Sequence, residues 1–213
     1  MKTIKHFILI ALLVVFNTAE ACTNFLITKG ASIDGSNFIS YCADSHIRYG
    51  ELYFTPAADW PVGSMRVCYD RGTNAPRGSV PQPPHTYQVV GYINEFQVAL
   101  GETTFGGREE LMDPTGIVDY GSLMFIALER SRSAREAIKV MADLVEEYGY
   151  GSDGESFSIS DANEVWDMEM MPKGYTPKVT QTGDTINIDR GAVWVAISIP
   201  DGYVSGHGTA ARI

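Results

Sequence analysis

The sequence has 213 residues, of which 45% are hydrophobic, and its 26 acidic and 16 basic side chains give a formal net charge of −10. This length is sufficient for one domain with a substantial core. An acidic chain without a basic stripe is poorly suited to binding nucleic acid or anionic membranes. We therefore expect neither of these as a partner.

An apolar leader opens the chain. Two lysines form a positive n-region, the run FILIALLVVF at 7–16 forms an apolar h-region, and NTAEA at 17–21 is a polar exit that ends in a small-x-small triplet. Ten apolar residues are too few to cross a bilayer, which takes about 20. We predict a signal peptide at 1–21, one domain at 22–213, and a secreted or periplasmic protein without stable membrane insertion.

Cleavage at that point makes Cys22 the first residue of the mature chain, and three roles are open for it. It is a nucleophile whose thiol and free α-amino group share one residue, a lipid-modified residue, or a disulfide cysteine. Lipoprotein sites usually carry a Leu-like residue three positions upstream, where this chain has Ala19, followed by Glu20. An odd total of three cysteines indicates either an intermolecular bridge or one thiol that stays free, and Cys22 is the natural candidate. Cys42 and Cys68 either pair in an oxidising compartment or stay reduced.

Alternating apolar residues predict strands in the first half of the chain. TNFLIT at 23–28, a run of turn residues, and NFISY at 37–41 predict a hairpin. Residues 50–86 are rich in Pro, Gly and Arg, and we predict long surface loops there. YQVVGYI at 87–93 and FQVALGETTF at 96–105 predict a second hairpin. The glycines of GETTFGG would allow another backbone to approach closely.

Two helices are predicted in the middle of the chain. Asp119 to Glu129 has the pattern of a buried helix, and the capping box from Ser133 to Glu136 opens a second helix that ends near Gly149. Four more strands are predicted at SFSISDAN, EVWDMEM, TINID and AVWVAISI. Hairpins, then helices, then strands predict the α+β class, with antiparallel sheets and helices on one face.

The four histidines are isolated, and neither H-x-x-x-H nor C-x-x-C spacing occurs. We therefore expect no metal and no other cofactor. His207 allows a Cys-His pair with Cys22. Because glycines flank it near the chain end, a loop position is favoured instead.

Six segments carry a family resemblance through their order and spacing. They are CTNFLITKGASIDGS, SYCADS, GETTFGGRE, ALERSRSAREAI, SDANEVWDMEM and AVWVAISIPDGYVSGHGTAARI. In these segments the chain resembles the dipeptidase and secernin family of cysteine peptidases, within the N-terminal-nucleophile hydrolase superfamily. The resemblance implies a four-layer αββα sandwich and metal-free hydrolysis of small peptides, mainly dipeptides.

The resemblance also implies site residues. It makes Cys22 the nucleophile and places the family's acidic residue on Asp44, with Tyr41 where an arginine often stands. The oxyanion-stabilising and substrate-binding groups that it implies are Thr103, Thr104 and Asn163. Family members are usually much longer, so we expect a truncated member with an incomplete sandwich.

The chemistry requires a base, because a cysteine with an ordinary pKa of about 8.5 is mostly thiol at neutral pH. The α-amino group of Cys22 would take the thiol proton and later protonate the leaving amine. Asp44 would orient that amino group, as the third member of a triad does. The alternatives are an amide hydrolase of the penicillin or bile-salt acylase type, and a non-catalytic surface lipoprotein or degenerate fragment.

Overall fold

The computed structural model describes residues 22–45 and 50–213, and the predicted signal peptide at 1–21 lies outside the described residues. Within those ranges it has sixteen strands and two α-helices, which confirms the α+β class. The helices are α1 (Tyr120–Arg130) and α2 (Ala134–Tyr148), with a short 3-10 helix at Glu109–Leu111. The strands are β1 (Asn24–Ile27), β2 (Phe38–Ile39), β3 (Phe54–Thr55), β4 (Ala58–Asp59), β5 (Met65–Tyr69), β6 (Pro76–Pro81), β7 (His85–Thr86), β8 (Val89–Val90), β9 (Ile93–Asn94), β10 (Ala99–Gly106), β11 (Gly154–Ser160), β12 (Val165–Pro172), β13 (Pro177–Val179), β14 (Thr185–Asn187), β15 (Ala192–Ser198) and β16 (Val204–His207).

The largest sheet of the described residues has seven antiparallel strands in the order β15-β12-β11-β10-β9-β8-β3. Side chains alternate between its two faces. On one face Leu100, Phe157 and Ile159 are fully buried and join the core formed by both helices. Leu123 and Met141 contribute to that core from α1 and α2. The helices therefore cover one face of this sheet.

A small sheet lies on the opposite face. It has the order β16-β1-β2 among the described residues, and β1 runs antiparallel to both neighbours. The Asn24 side-chain amide of β1 is hydrogen-bonded to Ser158 Oγ in β11 (3.2 Å), and His207 of β16 bonds to the same hydroxyl (2.8 Å). Because Ser158 alternates with Phe157 along β11, the small sheet covers the face that the helices leave free.

The helix boundaries follow from their capping residues. The Asp119 carboxylate accepts from Ser122 N at the start of α1 (2.8 Å), and Ser133 Oγ accepts from Glu136 N at the start of α2 (3.2 Å). Gly149 ends α2 with φ +79°, which glycine adopts without strain. Neither helix of the described ranges is long and apolar enough to cross a membrane.

Two sequence predictions for the first half need correction. The segment 50–86 contains a regular hairpin, β5-β6, instead of loops throughout, because alternation buries Cys68 and Val80 while Pro76 and Pro81 occupy the ends of their strand. The predicted strand at 87–93 is broken into β8 and β9 because Gly91 takes φ +58° and turns the chain. The opening hairpin, β1-β2, is confirmed.

Candidate active site

The outer edge of β10 is open along most of its length. Among the described residues, β9 pairs with β10 only at Ala99, so the edge from Gly101 onwards has no neighbouring strand. Tyr41 crosses this edge from the small sheet, and its hydroxyl donates to Glu102 Oε1 on the helix-side face (2.6 Å). A Cβ on Gly101 would lie 3.0 Å from Tyr41 Cβ, so glycine at this position allows the crossing.

Cys22 lies next to this edge, immediately before β1. The chain is fixed beside it by the bridge between Thr23 and Cys42, in which Thr23 N donates to Cys42 O (3.1 Å). Gly208, after β16, packs close to the Cys22 carbonyl oxygen. The start of β1 is therefore held from both sides, and the half-buried thiol of Cys22 has a defined position.

A cleft of about 830 Å³ opens over this edge. Cys22 lines it together with the segment that follows β2, the β10 edge and the start of α1. The lining residues among the described ranges are Cys22, Tyr41, Cys42, Ala43, Asp44, Ser45, Gly50, Glu51, Tyr53, Arg71, Tyr92, Glu102, Thr104, Tyr120 and Thr209. Residues up to 187 positions apart in the chain thus meet around one thiol.

The surroundings of Cys22 favour the protonated thiol. Burial is the largest cause that raises its pKa, and the negative charges of Glu102, Asp44 and Glu155 raise it further. The backbone N–H of Asp44 bonds to the sulfur and acts in the opposite direction. A base and a nearby positive charge are therefore needed before this sulfur can act as a nucleophile.

Glu102 and Glu155 form a buried carboxyl pair beneath the cleft, with exposures of 3% and 1%. Thr104 Oγ1 donates to Glu155 Oε1 (3.0 Å). The other oxygen of each carboxyl, Oε2, is buried and has no N–H or hydroxyl donor among the described residues. Burial is the largest cause that raises the pKa of Glu155 well above its usual range. The charge of Glu102 and a hydrogen bond between the two carboxyl groups raise it further. The pair therefore keeps a proton at pH values where a free glutamate has lost it.

The structure brings three of the five predicted site residues to the cleft. Cys22, Asp44 and Thr104 all line it. Thr103 instead points to the small-sheet face, where its hydroxyl donates to Gly208 O (2.8 Å). Asn163 is exposed in the β11-β12 turn, at the opposite end of these strands from Thr104.

His207 is buried between the two sheets, at 2% exposure, so the expected loop position is wrong. Since Thr103 gives its hydroxyl proton to Gly208 O, it accepts from His207 Nδ1–H (2.7 Å). Ser158 then donates to Nε2 (2.8 Å). Burial lowers the pKa of His207 to about 4, which keeps the ring neutral. Both ring nitrogens are occupied, so this histidine is not available as a base for Cys22.

Sequence reasoning missed several residues of the cleft. Tyr41 was noted only as a replacement for an arginine, and Glu155 and Arg71 gave no signal, because their place in the site depends on sheet register and on the β5-β6 hairpin. All three cysteines are free thiols, with Cys42 exposed and Cys68 buried. In the described ranges no group of three or more His, Cys, Asp or Glu side chains is arranged to hold a metal ion.

Comparison with known proteins places this fold and cleft in a family. The model of peptidase family C69 matches residues 54–213, about three quarters of the chain. The chain belongs to peptidase family C69. The expected membership of a dipeptidase family of cysteine peptidases is thereby confirmed. The C69 match begins at residue 54, so the roles of Cys22 and Asp44 stay predictions.

Two curated relatives of this C69 chain are described as dipeptidases. A "Probable dipeptidase" of Latilactobacillus sakei is 28% identical over 200 residues, covering 85% of this chain and 38% of the relative. A "Probable dipeptidase A" of Streptococcus pyogenes serotype M3 (strain SSI-1) is 30% identical over 170 residues, covering 70% of this chain and 35% of the relative. The chain therefore spans a little over a third of the length of these relatives.

Proposed function

We propose that this C69 chain carries the nucleophile site of an exported cysteine dipeptidase. In this proposal the leader at 1–21 is removed and Cys22 becomes the amino-terminal nucleophile. The observation that carries the proposal is that Cys22 and Asp44 line the same cleft. The names of the two curated relatives support small peptides as the substrates.

Acylation would proceed without any group beyond Cys22 and its neighbours. The α-amine of Cys22 takes the thiol proton, and the sulfur attacks the peptide carbonyl carbon. In this proposal the resulting ammonium is stabilised by the carboxylates of Asp44 and Glu102, which line the same cleft. This new positive charge also offsets the negative charges that hold Cys22 in the thiol form.

The tetrahedral intermediate carries an oxyanion that needs hydrogen-bond donors. The Asp44 N–H and the Thr104 segment of β10 lie at the cleft and are the donors we assign to it. The Cys22 ammonium then gives its proton to the departing amine, the C–N bond breaks, and a thioester remains on the sulfur. Water attacks this thioester and loses its proton to the α-amine. The C–S bond then breaks, which releases the amino-terminal amino acid, and the ammonium returns its proton to the Cys22 sulfur.

The four-layer αββα sandwich is part of the same proposal. The helices, the large sheet and the small sheet correspond to three of its layers. The outer face of the small sheet exposes apolar side chains, with Phe25 at 53%, Phe38 at 46% and Val204 at 56% exposure. In a four-layer sandwich a further helical layer covers a face of this kind.

The test begins with the processed protein. The full chain is produced in a secreting host, and its intact mass is expected to correspond to a chain that begins at an unmodified Cys22. We expect this protein to hydrolyse dipeptides, and Cys22→Ser to lower kcat by about 1,000-fold or more. Cys68→Ala, which changes a buried thiol that does not line the cleft, serves as the matched cysteine control.

Four results would contradict the proposal. A mature chain that begins elsewhere lacks the terminal amine at Cys22. Added acyl mass on Cys22 would identify a lipoprotein instead. Normal dipeptide hydrolysis by Cys22→Ser would exclude its sulfur as the nucleophile, and cleavage of acylated amides in preference to dipeptides would favour the acylase alternative.

A further inference from the structure

The cleft is strongly acidic apart from one side chain. Asp44, Glu51 and Glu102 line it, and of the described lining residues only Arg71 is a permanent cation. No carboxylate of the described residues lies within 4.0 Å of its guanidinium, although six other Lys and Arg side chains of the described ranges form ion pairs at 2.5 to 2.8 Å. An arginine without an anionic partner in an acidic cleft needs a separate explanation.

Arg71 is held firmly by its surroundings. Its backbone N–H donates to the Asp119 carboxylate, which also caps α1. Its aliphatic stem packs on α1 at Gly121, where a Cβ would come within 2.7 Å of Arg71 Cδ. The guanidinium carbon lies 5.8 Å from the centre of the Phe125 ring. These contacts fix the position of the group, which lowers the entropy that it would lose on binding a ligand.

The guanidinium still has hydrogen-bonding capacity. Nη2 donates to the Tyr92 hydroxyl (3.1 Å), which is the one hydrogen bond that the guanidinium makes to the described residues. A guanidinium has five N–H donors in a planar fork that matches a carboxylate. Tyr92 itself packs edge-on against Tyr41, whose hydroxyl bonds to Glu102. Arg71 therefore connects, through two aromatic rings, to the edge of β10 beside Cys22.

The substrate class supplies the missing anion. In a dipeptide a single residue follows the scissile carbonyl. The carbon of the terminal carboxylate therefore lies within about 4 Å of the carbonyl carbon that the sulfur attacks. In a tripeptide it lies one residue farther away. We propose that Arg71 binds the terminal carboxylate of the substrate and so restricts the cleft to dipeptides. This inference rests on the proposed function and adds the residue that determines substrate length.

The experiment separates binding from turnover. Binding is measured by calorimetry in the Cys22→Ala background, with Ala-Phe and its C-terminal amide as the two probes, before and after adding Arg71→Met. Hydrolysis is measured with the Cys22 enzyme and the best-cleaved member of an Ala-Xaa dipeptide set, again against its amide. Arg71→Lys tests whether a point charge restores part of the preference, and Arg108→Met, an exposed arginine paired with Glu110, is the matched control.

We expect Arg71→Met to weaken binding and kcat/KM for the free dipeptide by about 10- to 100-fold, the usual effect of losing a charged hydrogen bond, and to leave the amide unchanged. Arg108→Met should alter neither. If Arg71→Met keeps the full preference for the free carboxylate, the inference is wrong, even where dipeptide hydrolysis stands. If the preference in binding is lost but no dipeptide is hydrolysed, the inference stands and the proposed function fails.

Discussion

The carboxyl pair beneath the cleft predicts an unusual pH dependence of stability. Glu155 is 1% exposed, and burial and Glu102 raise its pKa well above the usual range. A group whose pKa is higher in the folded state than in the unfolded chain stabilises the fold below the unfolded pKa of about 4.3. That contribution is lost as the pH rises through the folded pKa.

Glu155→Gln removes this titration with little change of shape. The amide oxygen can still accept from Thr104 Oγ1, and the amide N–H can donate to Glu102 as the shared proton does. One proton held only by the folded state changes the free energy of unfolding by about 1.4 kcal/mol per pH unit. The variant should therefore gain up to about 1.4 kcal/mol relative to the wild type for each pH unit above about 4.3.

Urea denaturation at intervals between pH 4.5 and 8 measures this difference. If the difference in unfolding free energy between the two proteins changes with pH, the folded wild type holds the extra proton. A difference that is constant with pH reports only a change in hydrogen-bond quality. Glu109→Gln, at an exposed glutamate of the 3-10 helix, should follow the wild type at every pH. Parallel curves for the wild type and Glu155→Gln would show that the pair does not retain a proton, and the reasoning would be wrong.

Two further predictions concern the interior. His207 has a pKa lowered to about 4 by burial, so the wild type should lose roughly 2 to 3 kcal/mol relative to His207→Gln as the pH falls from about 6.5 to 4. Urea denaturation across that range checks it, and equal acid sensitivity of both proteins would contradict it. Phe157 is fully buried under the helices, and Phe157→Ala should cost about 3 to 5 kcal/mol of unfolding free energy in the same assay. A loss below about 1 kcal/mol would mean that the sheet and helices are not packed as described.

Much of the local structure could be predicted from the sequence, because its causes are local. The capping box that begins at Ser133 and the terminating Gly149 set the ends of α2, and the structure places both in those roles, whereas Asp119, predicted as part of the first helix, is its N-cap. The failures also have local causes. Proline content in 50–86 concealed the alternation that buries Cys68 and Val80.

The site was only partly predictable because its geometry is set by pairing between distant strands. Cys22, Asp44 and Thr104 could be found from motifs, and all three line the cleft. Thr103 belongs to the same motif, but as the neighbour of Thr104 its side chain points to the other face of β10. The motif alone does not show which of the two faces the cleft. Arg71 reaches the cleft through a hairpin, and Glu155 lies beneath it through a sheet register, neither of which the sequence specifies on its own.

The pairing of β1 with β16 also constrains the order of events during folding. Asn24 is opposite His207, so the strand that follows Cys22 obtains one of its two partners from the last strand of the described fold. Contacts between such distant residues form slowly because a long loop must close first. The segment that contains Cys22 is synthesised well before β16, so its pairing cannot be completed until residue 207 is available. Cys22 therefore reaches its final surroundings late, which delays the assembly of the cleft until β16 has been made.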